Sequence, residues 1–179
     1  MMLWSDVHYA EQPLADPRLE AYLAALRPLY ANGRVLLRCF QPTDTVAFHS
    51  ASRHDLRGFD HLLSAFLGAP SIQVFLRELQ IPSPLKLPTF HHYSAYEMEG
   101  ALTITLLRGG AYQKFPGTVD EARRLSREFV TAIGHDYAQV FKLEGAWADW
   151  FYDVAWDSSF VVYDPQRMKW WVLCMTDTD

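Results

Sequence analysis

Apolar positions recur along this chain at two periods, and the periods assign most of its elements. The helical period appears first after Asp16-Pro17, an N-cap followed by proline at the first helical position. Leu19, Tyr22, Leu23 and Leu26 then share one face, and Asn32-Gly33 closes the segment. It returns in Phe59, Leu62, Leu63, Phe66 and Leu67, preceded by Ser52-x-x-Asp55, which is a capping box with Asp in place of Glu, and closed by Gly68. A short helix is expected over 71–79. The strongest helix signal lies at 118–133: Thr118-x-x-Glu121 forms a capping box, Ala122, Leu125, Phe129 and Ile133 form a buried stripe, and Gly134 is the stop. Arg123, Arg124 and Arg127 lie on its outer face.

The two-residue period predicts strands. Arg34–Phe40 and Thr45–His49 form a hairpin across Gln41-Pro42-Thr43-Asp44. Ile81 to Pro88 has three prolines and is an extended connector. Phe90–Glu97 and Ala101–Leu107 alternate around Met98-Glu99-Gly100. Gly109-Gly110 then turns the chain into a short run at Ala111–Phe115. Tyr137–Leu143 is a further strand, and Ser159–Tyr163 with Lys169–Met175 makes a last hairpin across Asp164-Pro165-Gln166-Arg167. Residues 146–156 fit either period and are read as a helical turn handing over to a strand. Trp170, Val172 and Cys174 face one way, and Trp171, Leu173 and Met175 the other, with nearly equal apolar content. Both sheet faces are therefore covered here, the outer one by a helix or by a second molecule. With hairpins and no strict βαβ alternation, the class is α+β: an antiparallel, twisted sheet built from hairpins with helices packed on one face, in a single domain over 1–179.

Composition narrows the function classes. Half of the residues are hydrophobic and 21% are charged, as in globular proteins. The sequence contains no run of eighteen apolar residues and no basic-then-apolar leader, so no membrane partner and a cytoplasmic location are expected. Cys39 and Cys174 sit inside apolar runs and read as buried free thiols. The net charge of −5 is uneven: residues 1–141 carry 13 basic and 14 acidic groups, and residues 142–179 carry 3 and 7. An acidic end argues against nucleic acid, which requires clustered Lys and Arg.

Spacing decides which catalytic constellations the chain can form. His91 and His92 are adjacent in a strand and point to opposite faces, and His54 and His61 would stand about 10.5 Å apart on a helix, so neither pair shares a metal ion. Neither a metal nor a cofactor is expected. In the predicted hairpin, Cys39 and His49 are offset by about 10 Å, too far for a nucleophile and its base. The sequence contains no Gly-x-Ser-x-Gly, Walker or dinucleotide motif. Arg108-Gly109-Gly110 reads as a turn, with an anion-binding loop as its second reading. Glu97 and Glu99 would lie about 6.6–7 Å apart on one side of a strand end, a separation suited to acid and base work on a glycoside, although solvated charges at a turn explain them better. Asp149, Asp153 and Asp157 would form a repelling acidic edge on a helix.

Five of the six tryptophans lie in 147–179. Such rings either close a core or anchor a partner, and only exposure separates the two. The reading adopted from sequence is a non-catalytic binding protein. It docks a basic protein partner, or a second copy of itself, through an acidic, aromatic surface of Trp147, Asp149, Trp150, Asp153, Trp156, Trp170 and Trp171. Small acidic bacterial immunity proteins and antitoxins work in this style, though no motif assigns the chain to their families. The alternative is a small hydrolase with an aromatic-lined pocket served by His92, Glu97 or Asp153.

Overall fold

The structure is a computed structural model and describes residues 7–54, 58–82, 84–87, 89–134 and 138–178. In chain order its elements are β1 (Tyr9–Gln12), α1 (Pro17–Leu26), β2 (Arg34–Pro42), α2 (Thr45–His54), α3 (Phe59–Gly68), α4 (Pro70–Phe75), β3 (Phe90–Tyr93), α5 (Ala95–Arg108), α6 (Val119–Ile133), β4 (Gln139–Leu143), β5 (Ser158–Asp164) and β6 (Lys169–Thr176). The strands form one antiparallel six-stranded sheet in the order β1-β2-β6-β5-β4-β3. The α+β class and the antiparallel sheet match expectation. None of the described helices is long and apolar enough to cross a membrane.

The helices divide between both faces of the sheet instead of lying on one. On the first face, α1, α5 and α6 bury Leu23, Leu102 and Phe129 against Cys39, Phe160, Trp171, Leu173 and Met175. On the second, α2, α3 and α4 bury Phe48, Phe66 and Ile72 against Phe40, Phe141, Trp170, Val172 and Cys174. The alternation read in Lys169–Met175 is thus realised, and helices of the same chain supply both covers. Trp170 stacks on Phe66 with ring centroids 4.1 Å apart, and Trp171 is 5% exposed on the opposite face.

Several local expectations hold. Asp16 caps α1 by accepting from the Arg18 N–H, Thr118 caps α6 by accepting from the Glu121 N–H at 3.1 Å, and the backbone N–H of Gly134 closes α6 on the Val130 carbonyl. The Ser71–Leu79 helix is present as α4 followed by a 3₁₀ turn at Arg77–Leu79. The last hairpin is present as β5 and β6. Asp164 Oδ1 accepts from the N–H groups of Gln166 and Arg167 in its turn.

Several strand assignments fail, each to a helix cap or a loop. Thr45–His49 is the start of α2, because Asp44 Oδ1 accepts from both the Val46 and Ala47 N–H groups and nucleates a helix where a turn was expected. The partners of β2 are β1 and β6. Of Phe90–Glu97 only Phe90–Tyr93 is extended, and Ala101–Leu107 lies inside α5. The capping box of Ser94 and Glu97 starts that helix, with Ser94 N–H donating to Glu97 Oε2 at 2.6 Å and Glu97 N–H donating to Ser94 Oγ at 3.2 Å. Ala111–Phe115 and residues 146–156 are turns and irregular backbone. The helix expected from Ser52 through Leu67 is two helices, α2 and α3. Asp55, Ser83, Pro88, Tyr137 and Asp179 lie outside the described residues.

Candidate functional site

The position of α5 follows from its apolar spacing. Met98, Leu102 and Leu106 recur every fourth residue and are fully buried against the sheet. The opposite side carries Tyr96, Gly100, Ile104 and Arg108, with Tyr96 74% and Ile104 65% exposed. Tyr112, in the turn after the helix, is 60% exposed. This outer ridge has a groove on each flank. Toward α6, a cavity of about 270 Å³ is lined by Tyr96, Glu99, Arg127 and Val130, and the Arg127 guanidinium reaches Glu99 at 3.3 Å across it. Toward the irregular segment before β5, a second cavity of about 270 Å³ is lined by Tyr30, Ile104, Thr105, Arg108, Lys142 and Trp156, with Asp157 and Ser158 at its rim.

The second groove contains two perturbed titratable groups, Tyr30 and Lys142. Burial, opposed by the nearby Arg108 charge, pushes the Tyr30 phenol up to about 12. Burial also holds the Lys142 amine below the usual lysine range, with Glu144 opposing the shift. Lys142 Nζ donates to the Leu143 carbonyl at 3.1 Å and lies 5.1 Å from the Phe160 ring centroid. The Arg108 guanidinium lies over Trp156 at 6.0 Å. Asp157 is the carboxylate at the rim, and both its oxygens are held by neutral donors: Oδ1 accepts from the Thr176 hydroxyl at 2.5 Å and Oδ2 from the Val154 N–H at 3.0 Å.

The tryptophans named from sequence lie elsewhere. Trp147, Trp150, Trp170 and Trp171 are all at or below 5% exposure, so the expectation of a solvent-facing aromatic platform is corrected: these rings are core. The physical reason is the path of the segment between β4 and β5. It folds back over the end of the sheet and plugs the second core with Trp147, Trp150 and Phe151. The Trp147 indole N–H donates to Ser159 Oγ at 2.8 Å and the Trp150 backbone N–H donates to the Leu79 carbonyl at 3.2 Å. Trp156 is half-buried and packs against the first core. Only Asp149 and Asp153 of the proposed acidic surface are fully exposed. The regular acidic edge does not exist, because no helix forms there and Asp153 adopts a left-handed φ of 58°.

The enzyme constellation is also not assembled. His92 packs its ring against Phe90 and Phe141 on the second face. Glu97 caps α5 over the first face, and its own carboxyl is held below the usual range by the Ser94 N–H and hydroxyl. Asp153 stands in the β4–β5 segment. Glu97 and Glu99 flank no common cleft: one is a cap and the other pairs with Arg127. His91 turns away from His92 and meets Glu144 at 2.8 Å. Cys39 faces the first core and α2, with His49, packs on the second, so the sheet itself separates thiol from imidazole. Both cysteines are buried and free, and burial raises the Cys39 thiol to about 12. Among the described residues, no three His, Cys, Asp or Glu side chains gather in a way that could hold a metal ion.

Ile104 and Arg108 were not read as helical site residues, Arg108 entering only in a turn with an anion-binding loop as its second reading, and neither Lys142 nor Tyr30 was singled out. The signal for the first two was Ser94-x-x-Glu97, a capping box as good as the one at Thr118, which places 101–108 on a helix and turns Ile104 outward. Compared with known family models, with curated proteins and with solved structures, the chain matches none.

Proposed function

We propose that this is a non-catalytic binding protein that docks a basic protein partner on the outer ridge of α5. The observation that carries the reading is the exposure of Tyr96 and Ile104 on one side of a helix whose other side is fully buried. An aromatic and a branched aliphatic side chain standing free on a rigid element, with grooves on both flanks, are the usual anchors of a protein interface. The sheet and α6 hold that ridge rigid, which lowers the ordering cost of binding.

Charge favours a basic partner, though less strongly than the count over 142–179 suggests. Asp164 pairs with Arg167 and Glu144 meets His91, while Asp157 and Asp177 are half-buried and buried carboxylates held by neutral donors and so stand away from a partner's contact surface. Asp149 and Asp153 remain exposed, and with the net charge of −5 they favour encounter with a basic surface. The style of action is that of small immunity or antitoxin proteins, with the anchors moved from the tryptophans to α5.

The test compares retention of partner on the immobilised protein with retention on two variants. Tyr96→Ala combined with Ile104→Asp is expected to lose the partner, with affinity reduced about 30-fold or more, since truncated anchors typically cost 2 kcal/mol or more. Val119→Asp, an exposed change elsewhere, is expected to leave binding unchanged. A 1:1 complex that forms equally well with the ridge variant contradicts the reading. A concentration-dependent dimer abolished by that variant makes the partner a second copy of the chain.

A further inference from the structure

Most guanidinium groups on this surface already have a carboxylate. Arg18 pairs with Asp16, Arg27 with Glu20, Arg38 with Glu11 and Glu78, Arg124 with Glu128, Arg127 with Glu99 and Arg167 with Asp164. A groove of about 450 Å³ beside α4 has Arg38 neutralised in this way, and Arg77 on its lining stands beside the same Glu11 and Glu78 carboxylates without an ion pair of its own among the described residues. Arg108 and Lys142 have no ion-pair partner among the described residues, and both line the groove between α5 and Trp156.

That groove has many donors and few acceptors. A guanidinium has five N–H donors and an ammonium three. The Arg108 head makes no hydrogen bond within the described residues beyond its contact with the Trp156 face, and the Lys142 amine has one acceptor, the Leu143 carbonyl. The one carboxylate at the rim, Asp157, has both oxygens engaged by Thr176 and Val154. Holding a half-buried ammonium is costly, and burial lowers the Lys142 amine with Glu144 offsetting only part of the shift. Ile104, Ala101 and the Trp156 ring supply apolar wall. A volume of about 270 Å³ lies just below the range typical of drug-sized ligands and suits a small acid.

We infer that this groove binds a small organic carboxylate with an apolar body, its carboxylate received by Arg108 and Lys142 and its body laid against Ile104 and Trp156. The inference needs no protein partner and goes beyond docking on α5.

Phenylacetate, its neutral amide phenylacetamide and inorganic phosphate serve as probes, titrated into the labelled full chain and followed by amide and lysine side-chain NMR shifts. Saturable shifts with phenylacetate, confined to residues 101–108, 142 and 155–158, are expected below about 20 mM, with the amide at least about tenfold weaker. Arg108→Gln, an exposed change, and Lys142→Met, which keeps the packed stem, are each expected to weaken phenylacetate by about tenfold or more, while the rest of the spectrum stays that of the folded protein. No saturation in the groove, an amide that binds as well as the acid, or variants that bind like the parent would overturn the inference. Phosphate binding as tightly as phenylacetate would overturn it as well, since the apolar body would then contribute nothing.

Discussion

Asp177 ties the end of the last strand to two distant turns. Its Oδ1 accepts the Asn32 N–H at 3.1 Å and its Oδ2 the Ala111 N–H at 2.8 Å, and the side chain is fully buried. The approach is close enough that a Cβ on Gly33 would overlap the Thr176 carbonyl oxygen, and one on Gly110 would overlap the Leu29 carbonyl oxygen and Asp177 itself. Gly33→Ala is therefore expected to lower stability by about 1–3 kcal/mol in denaturant unfolding, the cost of overpacking against backbone. Asp177→Ala is expected to cost at least as much, because it orphans two buried N–H groups. From sequence alone, Asn32-Gly33 and Gly109-Gly110 were legible as turns and Asp177 as part of an acidic tail. That the tail carboxylate binds both turns was not legible, since nothing local in the chain records a contact spanning 145 residues. Burial of the two thiols was legible, because each lies within an apolar run, and neither is expected to react with a thiol reagent at pH 8 until the protein unfolds.

Among elements, helices with agreeing local signals were read correctly and strands were over-assigned. In α6 the cap, stripe and stop coincide, and Thr118→Ala is expected to cost about 0.5–2 kcal/mol. In α5, Leu102, Ile104 and Leu106 alternate with threonines as a strand would, yet the Ser94 cap and the buried series Met98, Leu102, Leu106 prevail. Ser94→Ala is expected to cost a similar amount and to loosen the first turn of the ridge that carries Tyr96. The β5–β6 hairpin was legible because its turn residues and alternation agree, whereas the fate of its tryptophans depended on what covers each face. With helices on both sides, Trp170→Ala and Trp171→Ala are each expected to cost about 3–5 kcal/mol, as large core truncations do. A Trp171→Ala variant that is fully stable but fails to associate would return that ring to the surface.

For the whole molecule, the buried acids that titrate late set its response to alkali. Burial raises the Cys39 thiol and the Tyr30 and Tyr163 phenols to about 12, and raises Cys174, Tyr9 and Tyr22 as well. Each keeps its proton in the folded state at pH values where the unfolded chain has lost it. Their stabilising contribution is complete below about pH 9 and is lost as pH rises toward 12. Lys142 acts oppositely, since its lowered amine is neutral in the fold before it is neutral in the unfolded chain, but it is one group against six. Stability by denaturant unfolding is expected to fall steadily between about pH 9 and 11, and a flat profile would contradict the burial of these groups. The same burial leaves Tyr96 and Ile104, and not Trp147, Trp150, Trp170 and Trp171, as the exposed side chains on which the proposed docking rests. The most direct test is the hydrogen–deuterium exchange footprint of the protein with and without the partner it retains. Protection confined to residues 95–108 and the adjoining groove at 155–158 is predicted, and protection centred on 146–154 or on 169–176, with 95–108 unchanged, would contradict docking on α5.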